Sequence, residues 1–174
     1  MALRLQQLAL DQRHLLTGIS MDPGEEAYAG GSLDSIFEQM RTPPSGRIPF
    51  ALLEDDMVVG FLLAREGAAL PEWVEQGRMS LHNLRIDLLA RGRGFGQTAL
   101  RLAGQWITRR RPAVTHVMSS VNIGNSPALR LNLACGFAPT GAMVDGRLGR
   151  QIILSVPVAR LADGQVGSRS TRSL

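Results

Sequence analysis

The residues of this sequence that are best suited to chemistry form a short turn rich in glycine and arginine, Arg91-Gly92-Arg93-Gly94-Phe95-Gly96. The spacing of apolar residues predicts a strand before this turn and a helix after it, from Gln97. The first backbone N–H groups of a helix have no partner within it and carry partial positive charge, so they attract anions. Glycines let the backbone come close to phosphate oxygens, and arginines add paired donors. The turn therefore predicts a cradle for a phosphate group.

Two other phosphate-binding motifs are excluded, because each needs a residue that this sequence lacks at the required position. All 19 basic residues are arginine, so the lysine-containing loop of nucleoside-triphosphate enzymes cannot be formed. The glycine fingerprint of dinucleotide-binding folds needs a further glycine three residues after Gly96, where Ala99 stands.

The composition, with 44% apolar and 20% charged residues, is typical of a globular protein. The longest apolar run, Met57–Ala64, is far shorter than the roughly 20 residues that cross a membrane, and no apolar block of a signal peptide opens the chain. A single cysteine, Cys135, excludes an intramolecular disulfide. A net charge of +4 with only eight aromatic residues (five Phe, two Trp and one Tyr) disfavours nucleic acid as a partner. We therefore expect a cytoplasmic protein with no membrane partner.

The same apolar spacing predicts the elements that must hold the turn in place. The predicted strands are Leu3–Leu10, Phe50–Glu54, Met57–Arg65, Met79–Ile86, Val114–Val121, Ala138–Asp145 and Leu148–Val158. The predicted helices are Asp11–Ile19, Leu33–Arg41, Gln97–Arg110 and one that starts at Ser126, with its hydroxyl as the N-cap, and ends at Gly136.

These elements predict an α+β (mixed α/β) domain over residues 1–160. We expect a single central sheet of six to seven strands, mixed but mostly antiparallel, flanked by about four helices. Residues 161–174 are rich in Gly, Ser and Arg, which predicts a flexible tail.

Two segments together resemble the GNAT superfamily of N-acetyltransferases. Leu84-Arg85-Ile86-Asp87 followed by the glycine turn is similar to the family's strand and Arg/Gln-x-x-Gly-x-Gly/Ala motif. Asn125-Ser126-Pro127-Ala128-Leu129-Arg130-Leu131, followed by Gly136-Phe137, resembles the family's Asn-x-x-Ala-x-x-Leu-Tyr-x-x-x-Gly-Phe helix. Asn132 stands where that helix usually has tyrosine. The resemblance covers roughly residues 3–157.

The resemblance implies acetyl-CoA as co-substrate and no metal. The backbone of residues 84–86 would pair with the pantetheine arm, the backbone N–H groups of residues 91–97 would hold the pyrophosphate, and Asn125 would bind the pantetheine. The cofactor-binding residues implied are Leu84, Arg85, Ile86, Arg91, Gly92, Arg93, Gly94, Phe95, Gly96, Gln97 and Asn125. The N–H of Ile86 would also stabilise the oxyanion that forms when an amine attacks the thioester.

Proton transfer is the part of this chemistry that the sequence leaves open. The candidates for the general base are His82, Glu25, Glu26, Asp34, Glu72 and Glu75. Asn132 cannot supply the proton that the family's tyrosine gives to the leaving thiolate, because an amide does not titrate. Water or Ser126 would then donate, or the chain would be a catalytically silent acetyl-CoA-binding module.

The acceptor is expected to be a small-molecule amine. The Pro139-Thr140-Gly141 segment, with Asp145-Gly146, faintly resembles bacterial polyamine acetyltransferases, which makes a polyamine the first candidate. A protein N-terminus is the second. Because such folds often dimerise, a homodimer is also expected as a possible assembly.

Overall fold

A computed structural model describes residues 2–164 of the chain. The strands within this range are β1 (Leu3–Gln7), β2 (Arg47–Glu54), β3 (Met57–Arg65), β4 (Met79–Ile86), β5 (His116–Asn122), β6 (Ala138–Gly146) and β7 (Gly149–Pro157). The α-helices are α1 (Pro23–Tyr28), α2 (Leu33–Met40), α3 (Phe95–Arg110), α4 (Ser126–Ala134) and α5 (Val158–Asp163), and a 3-10 helix runs over Leu10–Leu16.

The strands form one sheet in the order β1-β2-β3-β4-β5-β7-β6. Only β4 and β5 run parallel, and the other neighbours are antiparallel. The expected mixed, mostly antiparallel sheet of the α+β class is therefore confirmed.

The central hairpin of β2 and β3 is buried on both faces, which explains why its strands are continuously apolar instead of alternating. On one face Phe50 and Leu62 belong to a core that includes residues of α3 and α5. On the other face Phe61 and Leu63 pack with residues of α2 and the 3-10 helix. The sheet is thus covered by helices on both sides, and the two layers bring α1, α3 and α4 towards one end of it.

A β-bulge interrupts the pairing of β3 with β4. Phe61 pairs with Arg85 and Leu63 pairs with His82, so two residues of β4 oppose one residue of β3. Asn83, one of the two, has a φ of 57°, a left-handed conformation that asparagine tolerates better than most residues. Because a bulge bends its strand and increases its twist, β4 turns away from its other neighbour at this point.

The turning of β4 opens the sheet. β4 pairs with β5 only at Met79 with Val117 and at Ser80 with Met118. Beyond Ser80, β4 remains paired with β3 and β5 remains paired with β7. A gap therefore opens between the carboxyl ends of two neighbouring parallel strands, where ligands commonly bind in open sheets.

Several predicted boundaries are corrected by the structure. Helix α3 begins at Phe95, two residues before the predicted start, and α1 and α5 were not predicted at all. The N-cap of α4 is Asn125 and not Ser126, because the Asn125 side chain accepts the hydrogen bond from the N–H of Ala128. Leu161, assigned to the tail by its composition, is buried in α5 and 1% exposed. The rest of the predicted tail, residues 165–174, lies outside the described residues.

Candidate active site

The gap between β4 and β5 forms a cleft of about 700 Å³. This volume is in the usual range for a cofactor or small-molecule site. Its lining comes from the outer half of β4, the end of β5, the glycine turn and the start of α3, the helices α1 and α4, and the turn between β6 and β7. The two motifs that carried the resemblance therefore meet in one cleft.

The glycine turn leaves backbone donors open at the cleft. Gly92 and Gly94 have φ values of 74° and 77°, which strain any residue with a Cβ. A Cβ at either position would meet no described protein atom within 4 Å, so the space beside them is free for a ligand. The Thr98 N–H donates to the Gly94 carbonyl at 3.1 Å, and the N–H groups of the three residues between them have no acceptor within the helix. These free donors are what the cradle expected at residues 91–97 requires.

Gly96 has a different role from the two glycines before it. A Cβ on Gly96 would lie 3.1 Å from a methyl carbon of Leu131 in α4. The glycine therefore permits the close approach of α3 to α4. This contact brings the start of α4 beside the cradle.

The arginines of the turn bind protein carboxylates. Arg91 donates to Glu25 of α1 at 2.6 Å and, through Nε, to the carbonyl of Ile86 at 3.2 Å. The Arg93 guanidinium pairs with Glu54 and lies 4.4 Å from the centre of the Phe95 ring. Both side chains thus fix the turn to neighbouring elements.

The free edge of β4 offers the N–H of Ile86 to the cleft. Asp87 donates its N–H to the carbonyl of Val59 in β3, at 2.9 Å. Since successive N–H groups of a regular strand point to opposite sides, the N–H of Ile86 faces the gap. By the same alternation the backbone of Arg85 faces β3, so its expected pairing with pantetheine does not fit the structure.

The Arg85 side chain anchors the arm that follows α1. It is 3% exposed and donates from Nη2 to the carbonyls of Ala29 at 2.8 Å and Gly31 at 3.0 Å. Burial lowers its pKa to about 10. Asn83 donates to the same Ala29 carbonyl at 2.9 Å. Two residues of the bulged strand therefore hold the arm that borders the cleft.

Asp87, directly after β4, fastens a second segment. Its Oδ1 accepts the N–H of Ser20 at 2.8 Å and the Ser20 hydroxyl at 2.7 Å, and its Oδ2 accepts the N–H of Leu89 at 3.2 Å. The bonds from Ser20 are the main cause that lowers the pKa of Asp87. The end of β4 is thus fixed to the segment that leads into α1.

His82 lines the cleft but is poorly suited to act as a general base. Its Nε2 is 2.7 Å from the hydroxyl oxygen of Ser80, and its ring centre is 6.0 Å from that of Trp73. Burial, together with the positive charge of Arg65, lowers the pKa of His82 to about 3. An imidazole with so low a pKa stays neutral near pH 7 and accepts a proton weakly, so the expectation for His82 is not supported.

Of the five candidate carboxylates, only Glu25 lines the cleft. Asp34 and Glu75 are each paired with an arginine, at 2.8 and 2.7 Å. Glu26 acts electrostatically on the buried guanidinium of Arg85. Neither Glu26 nor Glu72 is among the lining residues, which leaves Glu25, itself paired with Arg91 at 2.6 Å, as the one candidate carboxylate at the cleft.

The asparagines of α4 are held by their own helix. The Asn125 Oδ1 accepts the N–H of Ala128 at 3.2 Å, which leaves its amide N–H groups for a ligand. Asn132 lines the cleft, is 7% exposed and donates to the Ala128 carbonyl at 2.9 Å. No titratable proton is therefore available at the position where the family's tyrosine would stand.

One residue of the cleft was missed by the sequence analysis. Tyr28, the single tyrosine of the chain, ends α1 and lines the cleft. A Cβ added at Gly124, just before α4, would come within 2.9 Å of its hydroxyl oxygen. The sequence offered one indication of Tyr28 as a candidate, because it is the only side chain with a phenol hydroxyl.

Comparison with known proteins agrees with this geometry. A family model described as the acetyltransferase (GNAT) family matches residues 13–137. An aminoglycoside acetyltransferase AAC(6')-Ib in complex with coenzyme A superimposes with a TM-score of 0.75 at 15% identity, over 99% of this chain and 100% of that one. An acetyltransferase from Thermus thermophilus gives 0.65 at 22% identity, over 90% and 97% of the two chains. Mutant forms of the spermidine/spermine N-acetyltransferase SpeG from Vibrio cholerae give 0.62 at 15% identity, over 93% and 98%. No curated protein matches the sequence significantly.

The family match spans well over half of the chain, so the chain belongs to the GNAT family of acetyltransferases. The resemblance seen in the sequence is confirmed, and with it the enzyme class, an acyltransferase. Among residues 2–164 no group of three or more His, Cys, Asp or Glu side chains could hold a metal ion. Within the same residues no helix is both long and apolar enough to cross a membrane.

Proposed function

We propose that this chain transfers the acetyl group of acetyl-CoA to a primary amine by direct attack of the amine on the thioester. The observation that carries the proposal is the cleft between β4 and β5, in which the free N–H of Ile86 and the cradle at the start of α3 face one ligand volume. The pantetheine arm would extend β4 as an additional strand along Leu84 and Ile86. The pyrophosphate would then rest on the N–H groups of residues 95–97.

The reaction needs few protein groups once both substrates are aligned. The amine nitrogen attacks the carbonyl carbon, the oxyanion is stabilised by the N–H of Ile86, and the C–S bond then breaks. Glu25, directly or through a water, receives the proton that the ammonium group loses. The leaving thiolate takes a proton from the Tyr28 hydroxyl, which solvent restores. Tyr28 thus takes over the task for which Asn132 is unsuited.

The charged side chains of the cleft indicate which kind of amine acceptor would fit it. The charged residues that line it are Glu25, Arg85, Arg91 and Arg147. This positive excess suits the phosphates of acetyl-CoA but gives little support to a polyamine, whose several ammonium groups would need carboxylates. We therefore favour an amine that carries one positive charge, alone or beside an acidic group. The cytoplasmic location and the homodimer stay predictions.

Calorimetry with acetyl-CoA, followed by a thiol-release assay over a panel of amines, tests this function. We expect binding in the micromolar range and thiol release with at least one monoamine, faster than with spermidine. Absence of binding at high micromolar acetyl-CoA would refute the proposal. Binding without thiol release on every acceptor class would instead identify a catalytically silent module, the alternative that Asn132 favours.

A further inference from the structure

A second cavity, of about 190 Å³, lies under α2 on the face of the sheet opposite to α3. Its lining residues are Gly30, Ile36, Gln39, Arg47, Leu63, Arg65 and Asn83. Gly30 and Asn83 also line the large cleft, so the two spaces share one wall at the bulge of β4. No part of the proposed acetyl transfer uses this cavity.

The cavity holds two guanidinium groups and no carboxylate. Arg47 and Arg65 are direct partners across the β2–β3 pair, on the face that α2 covers. Like charges directly opposite in a sheet repel each other. None of the ion pairs found among residues 2–164 involves either arginine. The charge of this pair is therefore not neutralised by the described part of the protein.

Three polar atoms of the cavity also lack hydrogen-bond partners. Nε of Arg47, Nε of Arg65 and Oδ1 of Asn83 are buried, and the described residues provide no partner for them. Arg47 does donate from Nη1 to the carbonyl of Pro44 at 2.8 Å, which fixes its orientation. Burial, followed by the charge of Arg47, lowers the pKa of Arg65. Buried donors left without acceptors are rare in proteins and indicate a missing ligand or ordered water.

We propose that this cavity binds a small oxyanion, a carboxylate or a phosphate, between the guanidinium groups of Arg47 and Arg65. Guanidinium groups form paired, charge-assisted hydrogen bonds with both kinds of oxyanion. The volume equals about six water molecules at roughly 30 Å³ each, enough for such an ion but too small for a nucleotide. The anion would remove the repulsion between the two arginines and satisfy their buried Nε donors.

The oxyanion has two possible sources. It can be a free ion, or it can be the acidic group of an acceptor, whose amine would reach the large cleft only when the Asn83 side chain, which packs against Gly30, moves aside. The two sources bind the arginine pair through the same chemistry, but they affect different measurable properties of the protein. A free ion changes stability alone, whereas an acceptor carboxylate changes the KM of that acceptor.

The test is a titration of the full chain with inorganic phosphate, in which binding is measured by calorimetry and stability by thermal unfolding. At a phosphate concentration ten times Kd the folded state is favoured 11-fold, or about 1.4 kcal/mol, which raises Tm by about 3–6 °C in a domain of this size. We expect Arg65→Gln and Arg47→Gln to weaken phosphate binding at least tenfold. Arg4→Gln is the control, because Arg4 pairs at 3.4 Å with the exposed Asp56 at the β2–β3 turn, the end of the hairpin opposite to Arg47 and Arg65.

The same measurements separate a binding role from a structural one. Without phosphate, Arg65→Gln should leave Tm unchanged or raise it, because it removes one of two repelling, partly buried charges. If phosphate does not bind the wild-type chain at 50 mM, or binds Arg65→Gln and wild type equally well, the proposal is wrong. If Arg65→Gln fails to fold, Arg47→Gln gives the same comparison.

Phosphate bound at the glycine turn is distinguished by the variant Gly94→Val. Binding at the cavity persists in Gly94→Val and is lost in Arg65→Gln, whereas binding at the cradle shows the opposite pattern and counts against the proposal. If acetyl transfer is established, the acceptor source is tested with an amine that carries a carboxylate and with its amide. A KM that rises in Arg65→Gln for the carboxylate only identifies the acceptor as the source. An unchanged KM with lost phosphate binding identifies a free ion.

Discussion

The cradle at the glycine turn can be tested with a pair of matched substitutions, Gly94→Val and Gly77→Val. The two glycines have nearly equal φ values, 77° and 83°, and a Cβ at either would meet no described atom within 4 Å. Gly94 borders the large cleft and Gly77 is not among its lining residues. The backbone strain of the substitution is therefore the same in both variants, and only the effect on a ligand differs.

The expected magnitudes follow from this geometry. A left-handed conformation costs a residue with a Cβ about 1–2 kcal/mol, so Tm should fall by about 2–8 °C in both variants. In Gly94→Val the valine methyl groups occupy the space where phosphate oxygens would approach the N–H groups of residues 95–97. Loss of one charge-assisted hydrogen bond, about 1.5–3 kcal/mol, weakens binding by about 10- to 150-fold.

Calorimetry with coenzyme A measures the difference. We expect the Kd of Gly94→Val to rise at least tenfold and that of Gly77→Val to stay within about twofold of wild type. Circular dichroism at the temperature of the titration confirms that both variants are folded. Equal affinities in the two variants would refute the assignment of the cradle to this turn.

Four other substitutions test the remaining parts of the site. Tyr28→Phe should lower kcat at least tenfold in a thiol-release assay, with the Kd of acetyl-CoA unchanged, because only the proton donor is lost. His82→Gln should leave kcat within about threefold, and the wild-type profile should show no inflection from His82 between pH 5 and 8, because its pKa of about 3 lies below that window. Asp87→Asn should lower the free energy of unfolding by about 1–3 kcal/mol at pH 7. Folding lowers the pKa of Asp87, so its contribution to stability is present above the unfolded pKa of about 3.9 and is lost as pH falls through the folded value. The difference in stability between Asp87→Asn and wild type, measured by urea unfolding, should therefore shrink in acid. Arg85→Met frees two carbonyls of the arm after α1, so it should raise the KM of the amine while the Kd of acetyl-CoA stays the same.

The cofactor half of the site was largely predictable from the sequence because its signals are local. A glycine turn between a strand and a helix defines the cradle by the geometry of a few consecutive residues. The strand Met79–Ile86 was predicted with the boundaries that it has in the structure. The exposed N–H of Ile86 follows from its place on that strand, once the gap beside β4 is known.

The acceptor half could not be read from the sequence because it depends on contacts between distant segments. The low pKa of His82 results from burial and from Arg65, 17 positions earlier in the chain. The ion pair that joins Glu25 to Arg91 links residues 66 positions apart. Tyr28 lies in a helix of six residues, too short to show a periodic apolar face, and only the fold brings it beside Gly124. The gap itself depends on a bulge that no residue pattern indicated.

The distribution of the arginines shows how the chain divides its positive charge. The sequence suggests that the arginines near the glycine turn serve phosphate, but Arg91 and Arg93 are each paired with a glutamate. Three arginines that form no ion pair with a carboxylate among the described residues lie instead on strands beside the arm, at Arg47, Arg65 and Arg85. The proposed pyrophosphate site therefore relies on backbone N–H groups, whose position is fixed by the fold. In the proposed oxyanion site, Arg47 and Arg65 would hold an anion beside the cleft, which would favour an acceptor amine with an acidic group over a polyamine.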